Sequence, residues 1–408
     1  MIALLLAVTV INPDGAWCWF QDERAVFAGS KLAVGSVSRS GDVQVTVWDP
    51  QTGRAAIQTL HPQFERDDHD APGLVLRQDG RLVAFYARHG GPKGANRMYS
   101  RVTVRPHDAS EWEPEQSFDA GVNEAFSYAN PFQLAGERNR LYLFWRAKDY
   151  NPTWSASDDG GLTWSPGANH IYSRKGERPY VKYASNGRDT IHFAFTDGHP
   201  NRPYHNNLYH AYYRAGGLYR SDGTFVRKLA EGPITTAEAT RIYDGENSPT
   251  GEAWVWDLHL DRAGNPVVVY STHPDPMDHR YRYARWNGKS WDDRQIAYAG
   301  KRLYDRERQY SGGICLDPDD INTIYLSSGV RIEDGKPNTS GHWELYRGAT
   351  SDRGKTWRFE PLTRDSKVDN LRPIVPAGHP AGRFVLWYRG VYRSYTDFET
   401  EVVVLARP

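Results

Sequence analysis

The sequence predicts an all-β fold, a β-propeller of seven blades, from three observations. Apolar and aromatic runs of four to seven residues recur between Gly, Asp, Asn and Pro, without any long stretch of helical periodicity. This pattern is typical of short antiparallel strands. A short motif also repeats, and a length of 408 residues suits roughly six to eight blades of about 40 to 50 residues plus loops. The clearest runs occupy residues 43–48, 141–145, 191–195, 266–270, 323–326 and 384–388.

The repeated motif has the pattern S/T-x-D-x-G-x-T-W, known as an Asp box. It occurs as SDDGGLTW at residues 157–164 and as TSDRGKTW at residues 350–357, with weaker copies at 288–291 and 110–112. The Asp side chain of such a motif can accept hydrogen bonds from turn amides, while the Trp packs between sheets. The motif therefore indicates a structural clasp within each blade. Because no linker or break in composition divides the chain, we interpret residues 1–408 as one domain.

The chain opens with the apolar run MIALLLAVTV, which we interpret as the first strand of the folded domain. It has no basic segment before the run and no small-residue cleavage site after it, and both are marks of a signal peptide. The run is also too short to span a bilayer.

The composition excludes some partners. Lys and Arg together number 50, as do Asp and Glu, so there is no general electrostatic case for nucleic acid or a membrane surface as a partner. The 14 Trp, 25 Tyr and 14 Phe residues include flat rings suited to sugar stacking, although most must belong to the core. The two cysteines, Cys18 and Cys315, make no disulfide framework.

Two histidines lie at the ends of a predicted hairpin within residues 65–90, ERDDHDAPGLVLRQDGRLVAFYARHG. An Asp-Gly pair separates two short apolar runs there, which predicts a tight β-hairpin. The strands of a hairpin are antiparallel, so the start of the first lies beside the end of the second. We therefore expect His69 and His89 at the same edge of one sheet. A solvated pair of polar loops is the structural alternative.

The next two predicted hairpins repeat this arrangement. Tyr128 opens a strand and Arg146 closes the next. One blade later, Tyr183 or Lys182 takes the first of these positions and His199 the second. Loops from successive blades converge at one end of a propeller channel. Three consecutive hairpins that end in polar, titratable groups therefore predict a shared site.

Histidines, a tyrosine and an arginine suit β-elimination on a uronic acid. Ordinary glycoside hydrolysis needs two carboxylates across the bond, and no convincing pair is present. Elimination needs an Arg or His donor to neutralise the substrate carboxylate, so that the C5 proton becomes acidic. It also needs a base for that proton and an acid for the departing O4, roles that His can fill, as can Tyr once a cationic neighbour lowers its pKa. Our catalytic candidates are His69, His89, Tyr128 and Arg146.

Four other residues near these hairpin ends are candidates for substrate binding: Arg88, Asn130, Tyr183 and His199. Structural alternatives stay open for the catalytic candidates. Tyr128 could pack against Pro131, and Arg146 could form an ion pair with Asp149.

A second group of polar residues lies later in the chain. Its members could bind a structural ion, zinc or calcium: His259, His273, His279 and Cys315. Thiolate and imidazole are preferred zinc ligands, but the spacing matches no regular zinc motif. A buried free thiol and ordinary turn histidines are the alternative. We expect no cofactor in catalysis.

Several segments together resemble a known family, the BNR-repeat proteins that include the propeller-type ulvan lyases. The resemblance covers nearly the whole chain, and WCWFQD and DDH are specific to that group. The segments are AWCWFQDERA at residues 16–25, DDH at 67–69, FYARH at 85–89, HRYRYARW at 279–286 and DNLRP at 369–373.

The resemblance implies a seven-bladed propeller that cleaves by elimination at glucuronate or iduronate next to sulfated rhamnose. By motif, the family's two pocket histidines fall on His69 and His89, its catalytic Tyr on Tyr128 and its carboxylate-neutralising Arg on Arg146, while His199 matches a further pocket histidine. The family also carries a metal in its later blades. We accordingly expect a monomer, secreted or periplasmic, that acts on an acidic polysaccharide.

Three other functions remain open on the sequence. The same superfamily contains rhamnosidases that act on rhamnosyl-glucuronate caps, and a non-catalytic carbohydrate-binding propeller would share most of these features. A sialidase is less favoured, because the Asp boxes are structural and three pocket arginines with a Tyr-Glu nucleophile pair cannot be placed.

Overall fold

The computed structural model describes residues 8–90, 97–119, 121, 126–174, 176–200 and 206–407. Over these residues the chain forms seven antiparallel sheets, arranged as the blades of a β-propeller, so the predicted fold class is confirmed. A small parallel pair of strands links two of the blades, and four 3-10 helices occupy loops. No helix in the described ranges has the length and apolar character needed to cross a membrane.

The first four blades follow one another along the chain, after a strand β1 (Thr9–Asn12) that belongs to the last blade. Blade I consists of β2 (Ala25–Ala28), β3 (Lys31–Val37), β4 (Val43–Trp48) and β5 (Ala55–His61). Blade II consists of β6 (Gly73–Leu76), β7 (Leu82–Tyr86), β8 (Met98–Arg105), β9 (Asp108–Trp112) and β10 (Gln116–Phe118). Blade III consists of β11 (Ser127–Leu134), β12 (Arg140–Arg146), β13 (Pro152–Ser157) and β14 (Ala168–Asn169). Blade IV consists of β16 (Val181–Ser185), β17 (Thr190–Thr196), β18 (Leu208–Arg214), β19 (Gly217–Arg220), β20 (Phe225–Lys228) and β22 (Thr240–Tyr243), and the parallel pair is β15 (Ile171–Tyr172) with β21 (Ile234–Thr235).

The last three blades complete the ring. Blade V consists of β23 (Glu252–Leu260), β24 (Pro266–Asp275), β25 (Asp278–Trp286) and β26 (Trp291–Gly300). Blade VI consists of β27 (Ile314–Leu316), β28 (Thr323–Ser328), β29 (Glu344–Ala349) and β30 (Arg358–Pro361). Blade VII consists of β31 (Asp369–Ile374), β32 (Arg383–Ser394) and β33 (Asp397–Arg407), with β1 on the far side of β33. The 3-10 helices are Asp68–Asp70, Ala135–Glu137, Lys148–Tyr150 and Leu229–Glu231.

Strand β1 closes the ring, because Thr9 pairs with Val404 of β33. The predicted first strand is therefore seen in its final residues, while residues 1–7 lie outside the described part of the chain. Central strands such as β17 are buried along their whole length. Because the sheets of neighbouring blades pack face to face, such a strand is covered on both sides and its sequence is a continuous apolar run rather than a strict alternation.

Both complete Asp boxes form the predicted clasp. Asp159 accepts hydrogen bonds from the backbone N–H groups of Leu162 and Thr163, and Asp352 accepts one from Thr356. In each box the Trp indole donates to the carbonyl three residues earlier, and Trp112 of a weaker copy does the same. These motifs are confirmed as structural elements of the blades.

Residues 17–22, the central segment, lie along the propeller axis and are buried. They are hydrogen-bonded to five blades: Gln21 to the His69 carbonyl, Phe20 to Asn130, Trp19 to Lys182 and Val255, and Trp17 to Arg372. The amide of Cys18 also donates to the Asp68 carbonyl at 2.9 Å. The central segment thus forms a floor, above which loops from several blades meet.

Candidate active site

The hairpin of blade II brings its two histidines together as predicted. Strand β6 pairs antiparallel with β7, with Gly73 opposite Phe85, so the 3-10 turn before β6 lies beside the residues after β7. The imidazoles of His69 and His89 stack with centroids 4.1 Å apart and planes 9° apart. The hairpin itself turns through Gly80, whose φ of +78° suits a residue without a Cβ.

A single carboxylate holds both rings. Asp67 accepts a hydrogen bond from His69 Nδ1 at 2.6 Å through one oxygen, and from His89 Nδ1 at 2.8 Å through the other. Asp67 is buried, and its first oxygen also accepts the backbone N–H of His69 at 2.9 Å, which fixes the carboxylate within the turn. The two imidazoles are therefore locked in orientation by one side chain.

The two stacked histidines differ in their pKa directions. Burial disfavours the charged form of His69, but the Asp67 carboxylate, which accepts a hydrogen bond from its Nδ1, favours that form, and the pKa of His69 is raised well above 6.5. Burial lowers the pKa of His89 below 6.5, and the neighbouring His69 lowers it further. A proton on this pair is therefore favoured on His69, and His89 is favoured as a neutral base.

Blade III supplies the tyrosine and arginine beside this pair. Strands β11 and β12 pair with Ser127 opposite Arg146, and the register shifts between Ser127 and Asn130. Within this bulge Tyr128 has a φ of +63°, an uncommon and strained conformation for a non-glycine residue. The Tyr128 ring lies 5.4 Å from His69 and 6.2 Å from His89, so the predicted convergence of the two hairpins is observed.

Burial raises the pKa of Tyr128 well above 10, although the charges of His69 and Arg146 oppose this rise. We expected a cationic neighbour to lower this pKa, and the structure corrects that expectation because desolvation of the ring is the larger effect. Tyr128 therefore keeps its proton at neutral pH, as an acid would need to do.

Arg146 is a buried cation whose charge no acidic residue in the described ranges neutralises. Its guanidinium carbon lies 4.8 Å from the ring centre of Tyr128 and 5.4 Å from that of Tyr180, and one nitrogen donates to the Tyr180 hydroxyl at 2.6 Å. The side chain is 6% exposed, and its Nε has no hydrogen-bond partner within the described ranges. The alternative ion pair with Asp149 is not formed.

A second buried arginine on the same face provides a contrast. Arg372 donates to Asp68 at 2.6 Å, and Tyr392 donates to the same carboxylate oxygen at 2.6 Å. An unpaired buried charge costs several kcal/mol. Asp68 compensates the charge of Arg372 inside the protein, whereas no acidic residue in the described ranges does so for Arg146. An anion that binds here would compensate the charge of Arg146.

The four residues predicted to bind substrate are not all at this site. His199 is, with its ring 5.7 Å from Tyr180 and its Nε2 4.0 Å from Glu307. The exposed Arg88 instead stacks on Phe64, 4.9 Å from the ring centre. The remaining candidates, Asn130 and Tyr183, line a small cleft together with Tyr128 and Arg146.

Asn130 is buried and donates to the Tyr128 and Phe20 carbonyls, so it holds the bulge against the central segment. Tyr183 belongs to the core between blades III and IV, because its hydroxyl is bonded to His170 Nε2 at 3.2 Å and its ring stacks 5.0 Å from Phe144. Its role in substrate binding stays a prediction. The strand ends in the sequence could not show which way these side chains turn.

Several site residues were missed in the sequence. Tyr310 approaches His69 Nε2 with its hydroxyl at 3.3 Å, and Tyr395 packs edge-on against both histidines, 4.9 and 5.7 Å away. Tyr180, which binds Arg146, lies three residues before Tyr183 in the sequence. Tyr310 and Tyr395 come from blades VI and VII, whose loops carried no signal besides the aromatic residue itself.

The predicted metal ligands do not form one set. His273 and His279 have ring centres 5.2 Å apart, with His273 Nε2 3.2 Å from Glu252 at the first residue of β23. His259 lies near the other end of β23, about seven residues or ~23 Å along the strand, and lines a small cleft with Cys315. One ion cannot bind both pairs, so the four-residue site is corrected.

Within the described ranges, two groups of three His, Cys or acidic residues bring their donor atoms within 4.8 Å of one another, and both include His69. The group with Asp67 and His89 does not suit an ion, because two parallel rings with both Nδ1 atoms on one carboxylate cannot converge on a metal. The other group has Cys18 and Asp68, and Asp68 is already bonded to Arg372.

Comparison with known proteins gives one curated relative and several structural neighbours. The chain is 23% identical over 337 residues to "Ulvan Lyase-PL25" of Pseudoalteromonas sp. (strain PLSV), which covers 70% of this chain and 65% of that lyase. The chain thus spans slightly less than two thirds of that relative's length.

A solved structure of a PL25 ulvan lyase bound to -[GlcA(1-4)Rha3S]- superposes with a TM-score of 0.69 at 16% identity, covering 98% of this chain and 94% of the other. The polysaccharide lyase Uly1 superposes with a TM-score of 0.57 at 11% identity, covering 97% of each. At these identities the two structures establish a common fold. A family model described as "BNR repeat-containing family member" matches residues 18–299, well over half of the sequence. The chain therefore belongs to the BNR repeat-containing family.

Proposed function

We propose that this protein is a polysaccharide lyase that cleaves a uronate-containing polymer by β-elimination. The observation that carries the proposal is the buried charge of Arg146, which no acidic residue in the described ranges compensates and which lies 4.8 Å from the ring of Tyr128, itself 5.4 Å from His69. A carboxylate from a uronic acid would supply the missing anion. Its pairing with Arg146 would withdraw charge from C5 and make the C5 proton acidic.

The remaining groups divide the proton transfers between them. His89 is favoured as neutral and its Nδ1 is taken by Asp67, so its Nε2 is the free basic nitrogen that would accept the C5 proton. Tyr128 keeps its proton, and its hydroxyl has no hydrogen-bond partner among the described residues, so it would protonate the departing O4 oxygen. His69, as the cationic member of the pair, would add positive potential at the uronate.

Hydrolysis fits the same cavity less well. It requires an acid and a nucleophile or base, both usually carboxyl groups on opposite sides of the bond. Two carboxylates beside this pair, those of Asp67 and Asp68, are bonded to the two histidines and to Arg372. Neither is placed to act across a glycosidic bond.

The class of polymer that we propose as substrate is inferred from the relatives and not from the shape of the cavity. The curated relative is named an ulvan lyase, and the neighbour structure holds glucuronate linked to sulfated rhamnose. We propose a polymer of this class, acidic and sulfated, for the present chain. Such a polymer is too large to enter a cell, so we also propose that the enzyme acts in the periplasm or outside the cell.

The proposal is tested by incubating the purified protein with a sulfated glucuronate–rhamnose polymer. Elimination leaves a double bond conjugated to the carboxyl group, so ultraviolet absorbance should rise. Free rhamnose without a rise in absorbance would show a rhamnosidase instead. Ligand binding by calorimetry without any product would show a non-catalytic carbohydrate-binding propeller.

A further inference from the structure

We propose that Asp67 is a positioning residue for both histidines, which holds them in one tautomer and confines a single proton to the pair. Asp67 is not expected to touch the substrate, since it is 3% exposed and both its oxygens are engaged by the two histidines. Its role is therefore exerted through His69 and His89. The expected effect of Asp67 on catalysis rests on the proposed function. The assignment of tautomers and protons to the two histidines does not depend on it.

The first step concerns the tautomers. An ionised carboxylate is only an acceptor, so each imidazole nitrogen that faces Asp67 must carry a hydrogen. Both Nδ1 atoms face it, at 2.6 and 2.8 Å. Both histidines therefore carry Nδ1–H whatever their charge, and in a neutral ring the basic nitrogen is Nε2. A proton added to either ring must be added at Nε2.

The second step concerns the number of protons. The rings are nearly parallel at 4.1 Å, and two cations so close repel each other by several kcal/mol when water is excluded. One carboxylate shared by two rings compensates one positive charge. The arrangement therefore favours one imidazolium and one neutral imidazole over two cations.

The third step decides which ring is charged. The His69 ring faces two carboxylates, because Asp68 Oδ1 lies 3.0 Å from its Nδ1 in addition to Asp67. The His89 ring is paired with Asp67. His69 Nε2 is also 3.3 Å from the Tyr310 hydroxyl, which can accept a hydrogen bond from a protonated Nε2. His89 is the more exposed ring, at 21%. Arg146 adds positive potential at His89. These contacts favour the positive charge on His69 and leave Nε2 of His89 without a proton.

The titratable and charged groups that surround the two histidines come from six elements of the fold. They are Glu65, Asp68 and Asp70 from the turn, Cys18 from the central segment, Tyr128 and Arg146 from blade III, Tyr304, Glu307 and Tyr310 from the loop before β27, Arg372 from β31, and Tyr392 and Tyr395 from the last hairpin. Asp68 is the carboxylate nearest to His69 after Asp67, and its charge is shared with Arg372.

Asp67→Asn tests the assignment with almost no change in shape. An amide presents one acceptor and one donor, so it can accept from one Nδ1 but must donate to the other, which forces that ring into the Nε2–H tautomer. Nitrogen-15 NMR of the histidine rings distinguishes the two tautomers and the cation, and it reads the free protein without substrate. In the wild type we expect one cationic and one neutral Nδ1–H ring across neutral pH, with a change of tautomer in Asp67→Asn.

Asp70→Asn is the matched control. Asp70 lies in the same turn and accepts the backbone N–H of His89 at 2.8 Å, but it touches neither ring. We expect its variant to keep the wild-type tautomers. If the substrate is turned over, Asp67→Asn should lower kcat by about 10²- to 10⁴-fold with little change in KM, as expected when a base is held in the wrong tautomer.

The inference is overturned if both rings of Asp67→Asn keep Nδ1–H, or if the wild-type histidines titrate independently near 6.5. If Asp67→Asn does not fold, the wild-type titration alone decides. Altered tautomers in a protein that cleaves no uronate polymer would uphold the positioning role and contradict the proposed function, so the two failures are distinguishable.

Discussion

Arg146 lies over the ring of Tyr128, with its guanidinium carbon 4.8 Å from the ring centre, and the two residues sit at the paired ends of β11 and β12. A cation and a phenol that must act on the same sugar ring are thus held by one strand pair. The bulge at Tyr128 turns its ring toward the histidines of blade II. This relationship makes the site sensitive to single substitutions.

Arg146→Gln should lower kcat/KM on a uronate polymer by about 10²-fold or more, because one preorganised charge at the developing anion is lost. Arg146→Lys should rescue little, since an ammonium cannot make the planar, bidentate contact with a carboxylate. The measurement is the initial rate of absorbance increase. Arg241→Gln is the control, because Arg241 is exposed and paired with Asp244 at 3.1 Å on blade IV. Full activity in Arg146→Gln would exclude Arg146 as the carboxylate partner.

Tyr128→Phe removes one oxygen from a buried ring and should reduce kcat by about 10²- to 10⁴-fold, because the proton for O4 is lost. Binding of oligosaccharide, measured by calorimetry, should change much less. The matched control is Tyr212→Phe, whose ring stacks on Tyr219 at 5.2 Å in the outer part of blade IV. If Tyr128→Phe turns over substrate at the wild-type rate, another group supplies the proton.

The pH dependence follows from the opposite pKa directions of the two histidines. The base His89 must be neutral, and its pKa is lowered below 6.5, so activity should persist below pH 6.5 and fall only as the pH passes through that lowered value. His69 must be charged, and its pKa is raised well above 6.5, so activity should be lost at the alkaline side only above that raised value. A profile of kcat/KM should therefore be a broad bell, whose limbs belong to the pair. A single limb centred near 6.5 would contradict this assignment.

Substitution of Lys182 tests how strongly the central segment is held in the fold. Lys182 is fully buried, donates to the Trp19 carbonyl at 2.6 Å and lies 2.5 Å from Asp22. Lys182→Met leaves the buried Asp22 carboxyl with only the more distant Arg24, at 3.6 Å, as a cationic partner and should cost about 3 kcal/mol of unfolding free energy, measured by denaturant titration. Adding Asp22→Asn should restore part of the loss, since the carboxylate that Lys182 had compensated is then removed. Equal stability of Lys182→Met and wild type would show that the segment is not held by this pair.

The propeller and the pairing of His69 with His89 could be predicted from sequence because both depend on local patterns. A turn between two apolar runs determines a hairpin, and a hairpin determines which of its ends meet. The same reasoning correctly placed Tyr128 beside Arg146.

The metal site could not be predicted in this way. His259 and His273 are close in sequence, but β23 and β24 pair along their lengths and carry them to opposite ends of blade V. The role of the central segment was equally hidden, because Trp19 and Lys182 are 163 positions apart and meet only when the ring closes. The contacts of the Tyr183 side chain were also hidden, because a strand end shows where a residue lies but not which blade interface its side chain enters.

The most direct test of the elimination mechanism is the mass of the products formed in water enriched in heavy oxygen. Elimination breaks the bond to O4 without adding water, so we expect an unsaturated uronate that is lighter by one water than a hydrolysis product and carries no heavy oxygen. Products that are saturated and contain heavy oxygen would contradict the account, because the cavity around Arg146 would then catalyse hydrolysis.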